Sequence, residues 1–285
     1  VSDDVREINP EERIMSLDLD LVGNAMQMAV CRLQPGQTVY CEAGKFLFST
    51  AGLTAVTRLS KPSAAGQAGQ GSMLQGLMRT AMDAGKRMLA GESLAFQYFT
   101  NNGREAEVIS FAGVLPGELR ALELHGTRGW YAEKDAFVAA ESTVDFDIAF
   151  SGLRQGFAGG EGFILEKFTG TGTVLIGGAG NFIDLNLDDF GGMLKVDTGC
   201  IVAFEEGVRY DITRVGGLNM QGLTSMAFGH EGLNLATLSG SGKVILQSMT
   251  LEGLSTALRK SMMRGGGDNG RTGLGAVGGL FGGQD

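Results

Sequence analysis

The side chains of this 285-residue chain that could carry chemistry are three cysteines, two histidines and a set of recurring carboxylates. A transition-metal site of the kind found inside β-barrels needs clustered imidazoles. His125 and His230 are far apart in unlike contexts, so each is expected to be a satisfied or surface histidine. No Gly-x-Ser-x-Gly elbow occurs, and Cys31, Cys41 and Cys200 have neither CxxC spacing nor a histidine close by in sequence. Their odd number fits a reducing, cytosolic setting, and all three are expected to be small core residues. Gly44-Lys45, Gly85-Lys86 and Gly242-Lys243 lack the Ser or Thr and the upstream glycine of a phosphate loop. Asp18 with Asp20, and Asp145 with Asp147, share a strand face by the period of two and read as the wet side of a sheet. The expectation is a protein that is not an enzyme, with no catalytic residues, metal or cofactor.

The recurring carboxylates are more informative, because their spacing exposes the organisation of the chain. Gly91-Glu92-Ser93, Gly160-Glu161-Gly162 and His230-Glu231-Gly232 place glutamates 69 and 70 residues apart, each followed 11 residues later by Gly103, Gly172 or Gly242. Glu92, Glu161 and Glu231 could form a threefold ligand ring. The structural alternative, a carboxylate receiving backbone N–H groups at a tight turn, is favoured. A second pattern runs through Glu42-Ala43-Gly44-Lys45, Glu133-Lys134-Asp135-Ala136 and Asp197-Thr198-Gly199-Cys200. Between each glutamate and its glycine apolar residues alternate, and Thr-Gly-Thr-Gly-Thr or Ser-Gly-Ser-Gly-Lys follows. This reads as strand, glycine turn, strand, a hairpin with one buried face. Gly103, Gly172 and Gly242 are thus expected to be structural turns with positive φ.

A small sheet of that kind cannot bury its apolar face alone, so the elements must stack. The expected fold is all-β, a pseudo-threefold repeat of β-sandwich units in one domain over 14–248, with subrepeats at about 14–111, 112–178 and 179–248. In the first copy the two acids are 50 residues apart, against 28 and 34 in the others. The excess is a Gly/Ser/Ala linker and an amphipathic helix, placed at about 66–89. Met73, Leu77, Met78 and Met88 lie on its apolar side, and Arg79, Lys86 and Arg87 on the polar one. A second amphipathic helix is expected over 249–264, with Leu251, Leu254, Leu258 and Met262 in a stripe beside Arg259 and Lys260. The glycine-rich segment 265–285 reads as a flexible tail. Each helix either caps the β core or offers a methionine-rich, cationic face to a protein partner or a lipid surface.

Composition narrows the partners. A net charge of −9 gives no field for gathering a polyanion, and 47 glycines against 4 prolines point to many turns between strands. No apolar run is long enough to cross a membrane, and the charged N-terminus has no signal-peptide core.

Together, Gly23 with Met26-Gln27, Leu33-Gln34-Pro35-Gly36-Gln37, Glu42-Ala43-Gly44, Val196-Asp197-Thr198-Gly199 and Gly240-Ser241-Gly242-Lys243-Val244 resemble the bacterial proteins related to the fungal altered-inheritance-of-mitochondria protein. The likeness covers roughly 14–248. It implies a fold like that of the tryptophan RNA-binding attenuation protein, in the neighbourhood of the double-stranded β-helix, and it implies no particular reaction. Its fungal members, linked to mitochondrial organisation, hint at membrane-associated work. RNA binding is not expected. The matched positions read Lys45, Ala136, Cys200 in one register and Glu105, Val174, Val244 in another, without the repeated cations and stacking aromatics that a single strand needs. The expected function is a non-enzymatic scaffold that self-associates, a trimer being favoured, with a cytoplasmic and membrane-peripheral setting. A small-ligand or metal-binding module using the recurring glutamates is the alternative.

Overall fold

The structure is a computed structural model and describes residues 17–58, 95–151, 163–214 and 234–265. A first group of strands comprises β1 (Asp18–Val22), β2 (Met28–Leu33), β3 (Thr38–Glu42), β4 (Phe46–Ser49), β5 (Leu53–Arg58), β6 (Phe96–Asn101) and β7 (Glu107–Ala112). A second holds β8 (Leu119–His125), β9 (Trp130–Glu133), β10 (Phe137–Glu141), β11 (Val144–Ser151) and the long β12 (Phe163–Gly177). A third holds β13 (Phe182–Asn186), β14 (Met193–Asp197), β15 (Ile201–Glu205), β16 (Val208–Arg214), β17 (Asn234–Gly240) and β18 (Lys243–Gln247). One helix, α1 (Leu251–Gly265), follows. The described protein is therefore an antiparallel β fold with a single C-terminal helix.

Strand pairing follows one scheme in all three groups. In the first, β7 lies between β2 and β4, while β6 lies between β3 and β5. In the second, residues 171–177 of β12 lie between β8 and β10, while its first half lies between β9 and β11. In the third, β18 lies between β13 and β15, and β17 between β14 and β16. Two further pairings, β3 with β10 and β9 with β15, join the groups edge to edge.

Three clusters of buried side chains lie between the sheets, each drawing residues from more than one group. The first core holds Cys31, Leu33, Val39, Phe99, Ile109 and Phe111. The second is aromatic, with Phe96, Phe137, Phe146 and Phe168 in mutual contact at centroid separations of 5.2–6.3 Å. The third gathers Leu165, Phe204, Ala236, Leu238 and Val244. Joining β3 to β10 makes a sheet covered on both faces, so Phe137-Val138-Ala139-Ala140 is a continuous apolar run and not an alternating one.

The glycine-rich segments expected to be hairpin turns are corners instead. The chain leaves one sheet at Gly170 or Gly240 and enters the next at Gly172 or Gly242, and all four glycines have positive φ (100°, 111°, 129° and 136°). Strands on either side of the bend pair with different neighbours, the way a strand turns the edge of a sandwich. The expectation for Gly103 fails. The registers align Val108, Thr173 and Lys243, each opposite the last residue of a short strand or the one after it, so Glu107 stands where Gly172 and Gly242 stand. Gly103 is absent from the positive-φ glycines and lies in a loop. Four additional residues there relax the corner, held by Asn101, whose amide donates to the Leu33 and Glu105 carbonyls and accepts from the Gly103 N–H.

Two other expectations change. Cys31 and Cys41 are buried, but Cys200 is only half-buried, in the 3-10 turn Thr198–Cys200. The C-terminal helix does not cap the core with its stripe: Leu254 is half-buried, whereas Leu258 and Met262 are 56% and 78% exposed. The inserted helix expected at about 66–89 lies outside the described residues.

Candidate functional site

The three acidic turns end up at one place. After β9, the Glu133 carboxylate accepts the Asp135 N–H at 3.0 Å, and the Ala136 N–H returns to the Glu133 carbonyl. After β14, the Asp197 carboxylate accepts the Gly199 N–H at 3.0 Å. After β3, the Lys45 N–H returns to the Glu42 carbonyl through Gly44, at φ 89°. The acid of each motif thus belongs to its turn, whose short span of backbone needs an acceptor. These turns, the segments following β7, β12 and β18, and the first turn of α1 surround a cavity of about 890 Å³. Thr250 heads that helix, accepting the Gly253 N–H on its hydroxyl and the Leu254 N–H on its carbonyl.

Apolar side chains such as Val114, Leu115, Ile201 and Val202 make up much of the wall. Among the described residues, Lys45 is the cation on it. Only 5% of Lys45 is exposed, and its ammonium donates to the Asp135 carbonyl at 3.4 Å. Glu133, Asp135 and Glu252 also contribute to the lining. The sequence reading missed this cavity, although a signal existed: Lys45, Ala136 and Cys200 occupy matching places, and one of the three is charged.

The corners carry a second polar arrangement. Thr50 Oγ1, Glu141 Oε2 and Glu205 Oε2 accept the N–H groups of Val108, Thr173 and Lys243 at 3.0, 2.7 and 3.1 Å. In the first group Thr50 is also hydrogen-bonded to the Glu107 carboxylate. The second corner is the most enclosed, with Thr173 Oγ1 donating to Glu123 and accepting the Leu17 N–H. Burial pushes the Glu141 carboxyl above its ordinary range, against the pull of its Thr173 bonds. Burial likewise pushes the Cys31 and Cys41 thiols up to about 12, which disfavours their thiolates at neutral pH.

Of the residues singled out in the sequence, Glu92, Glu161 and Glu231 lie outside the described residues, as do Met73, Leu77, Met78, Arg79, Lys86, Arg87, Met88 and His230. Arg259 and Lys260 are exposed on α1, and His125 is exposed at the end of β8. Among the described residues, no group of three or more His, Cys, Asp or Glu side chains is placed to hold a metal ion. Nor is any described helix long and apolar enough to cross a membrane.

Comparison with known proteins agrees with the fold. The architecture is similar to the crystal structure of a protein from Streptococcus pyogenes, with a TM-score of 0.63 at 23% identity, covering 86% of this chain and 99% of that one. No curated protein matches the sequence significantly. Residues 19–249 match the family model described as mitochondrial biogenesis AIM24. The chain therefore belongs to the mitochondrial biogenesis AIM24 family.

Proposed function

We propose that the protein is a non-enzymatic scaffold of three sandwich units in a pseudo-threefold repeat, and that it self-associates through two strand edges that pairing between the units leaves over. The recurring pairing scheme supports the repeat. The observation that carries the association is the seam. Units are joined when the third strand of one pairs with the second strand of the unit before, as β10 does with β3 and β15 with β9. With β1 set aside as an addition at the edge of β2, the first unit's third strand, β4, and the last unit's second strand, β14, are the two remaining members of such a pair. Among the described residues, each has a pairing partner on one side only.

Their exposure fits an open seam. Every residue of β10 is buried and only the last of β15 is half-exposed, whereas Leu47 and Phe48 on β4 are 50% and 49% exposed, and Met193 on β14 is 57% exposed. An unpaired apolar edge is a template for another strand. The matching edge is carried by every copy of the chain, so β4 of one copy pairs with β14 of the next. Such a head-to-tail contact closes into a ring, for which three copies is the expectation. Sedimentation equilibrium checks it: a multiple of the 29.9 kDa chain mass is expected, and a monomer at micromolar concentration overturns the proposal.

A second reading, peripheral membrane attachment, is favoured by α1 alone. Leu258 and Met262 stand in solvent beside Arg259 and Lys260, the make-up of an interfacial helix. Co-sedimentation with anionic vesicles at low salt, lost on truncation after Thr250, supports this reading, and absence of binding removes it.

A further inference from the structure

We infer that the cavity between the three acidic turns binds an aliphatic carboxylate, an apolar body with one anionic head, anchored by Lys45. The inference stands independently of self-association. It begins with a charge the fold does not need. Pairing aligns Phe46, Phe137 and Ile201 as the first residues of β4, β10 and β15, so Lys45, Ala136 and Cys200 precede them at equivalent places. Two of the three turns are built with a small uncharged residue there. An ammonium at the third is an addition to the architecture.

The addition is costly as it stands. A buried ammonium loses its hydration and requires a counter-charge or several acceptors. Lys45 has three N–H donors, and its one hydrogen bond among the described residues is the long contact with the Asp135 carbonyl; no described carboxylate lies within ion-pair distance of it. An anion entering the cavity supplies what is missing.

The rest of the wall selects the kind of anion. Val114, Leu115, Ile201 and Val202 offer apolar surface, and the volume is in the range of small-molecule sites. Glu133, Asp135 and Glu252 line the same space, so a doubly charged head such as a phosphate monoester meets three negative groups with one ammonium to offset them. Of the Glu133 carboxylate, one oxygen is already committed to the Asp135 N–H. A single negative charge on a hydrocarbon body satisfies both the ammonium and the wall.

The test is calorimetric titration of the full chain with decanoate, decanol and decyl phosphate below their aggregation concentrations. A charge-assisted hydrogen bond at a buried lysine corresponds to roughly tenfold or more in affinity. Decanoate is expected to bind saturably, at least about tenfold tighter than decanol, and tighter than decyl phosphate. In Lys45→Met the decanoate preference over decanol should vanish, and in Lys45→Arg it should persist. Equal binding of decanoate and decanol by the unaltered protein, or no saturable binding of decanoate, overturns the inference. So does a Lys45→Met protein that folds and keeps the preference. Tighter decyl phosphate replaces the carboxylate with a phosphate head and overturns the class assigned. The comparison of ligands on the unaltered protein decides the matter even if Lys45→Met fails to fold.

Discussion

Replacing Gly172 by alanine tests the corner geometry directly. Its φ of 129° is a conformation that L-residues rarely adopt, which costs about 1–3 kcal/mol once a Cβ is present. A Cβ there would stand 2.8 Å from Thr143 Oγ1 and 2.9 Å from Glu141 Oε2, with Glu141 Cβ at 3.3 Å. Those atoms cannot all retreat, because the same Glu141 oxygen holds the buried Thr173 N–H at 2.7 Å. Displacing it leaves an enclosed donor unsatisfied, at about 1–3 kcal/mol. The two effects share a cause and are not strictly additive, so the expected loss is about 3 kcal/mol. Gly242→Ala has the same strain, and its Cβ would approach Glu205 Oε2 to 2.8 Å, but the Lys243 N–H it disturbs is exposed, so about 2 kcal/mol is expected. Gly103→Ala is the control: its nearest atom is Asn101 Oδ1 at 3.2 Å and its φ is not positive, so the loss should stay below about 1 kcal/mol. Urea unfolding followed by far-UV circular dichroism gives all three values. Gly172→Ala within about 0.5 kcal/mol of the unaltered protein, or Gly103→Ala as damaging as Gly172→Ala, would refute the assignment of the corners.

Other expectations are independent of that one. The Thr50 N–H donates to the Val108 carbonyl, so by alternation the Ser49 N–H points to the open edge; Ser49→Pro should leave the melting temperature nearly unchanged and abolish self-association in sedimentation. Because burial raises the Glu141 carboxyl, its contribution to stability is complete below the ordinary glutamate range and is lost as pH rises through the raised value. Glu141→Gln should therefore remove part of the decline in urea midpoint between acidic and neutral pH, and an unchanged pH slope would count against it. With Cys31 and Cys41 buried and Cys200 half-buried, Ellman's reagent should titrate Cys200 first in the native protein and all three thiols in guanidinium.

What the sequence revealed and what it hid have physical reasons. Acid, turn and apolar run recur because the three turns have the same short span, and Glu133 and Asp197 hold their turn amides, a role that the sequence reading gave to Glu92, Glu161 and Glu231 instead. Gly-x-Gly between two alternating runs looks like a hairpin because periodicity reports burial within a strand and is silent on which neighbour the strand pairs with. Gly103 misled for a related reason: counting residues cannot detect a loop enlarged by four when Asn101 secures it through the distant Leu33 carbonyl and the Glu105 carbonyl within the loop. The amphipathic stripe of α1 was visible, but a stripe does not say whether anything covers it. The cavity depends on three turns distant in sequence, and its trace was one lysine out of register with an alanine and a cysteine.

The shared central layers bear on how the chain comes to be folded. The aromatic core around the middle group of strands is completed from both sides, by Tyr40, Phe96 and Tyr98 from upstream strands and by Val202, Ala203 and Ile245 from downstream ones. A polypeptide emerging from the ribosome can pair its first strands early, but β3 must wait for β10 and β9 for β15. Until the last strand appears, Phe137, Phe146 and Phe168 have an unfinished enclosure, and contacts of such long sequence separation form slowly. The middle of the molecule, first made of neither end, is thus the last part to become dry, and it is where a nascent chain is most exposed to aggregation or chaperone capture.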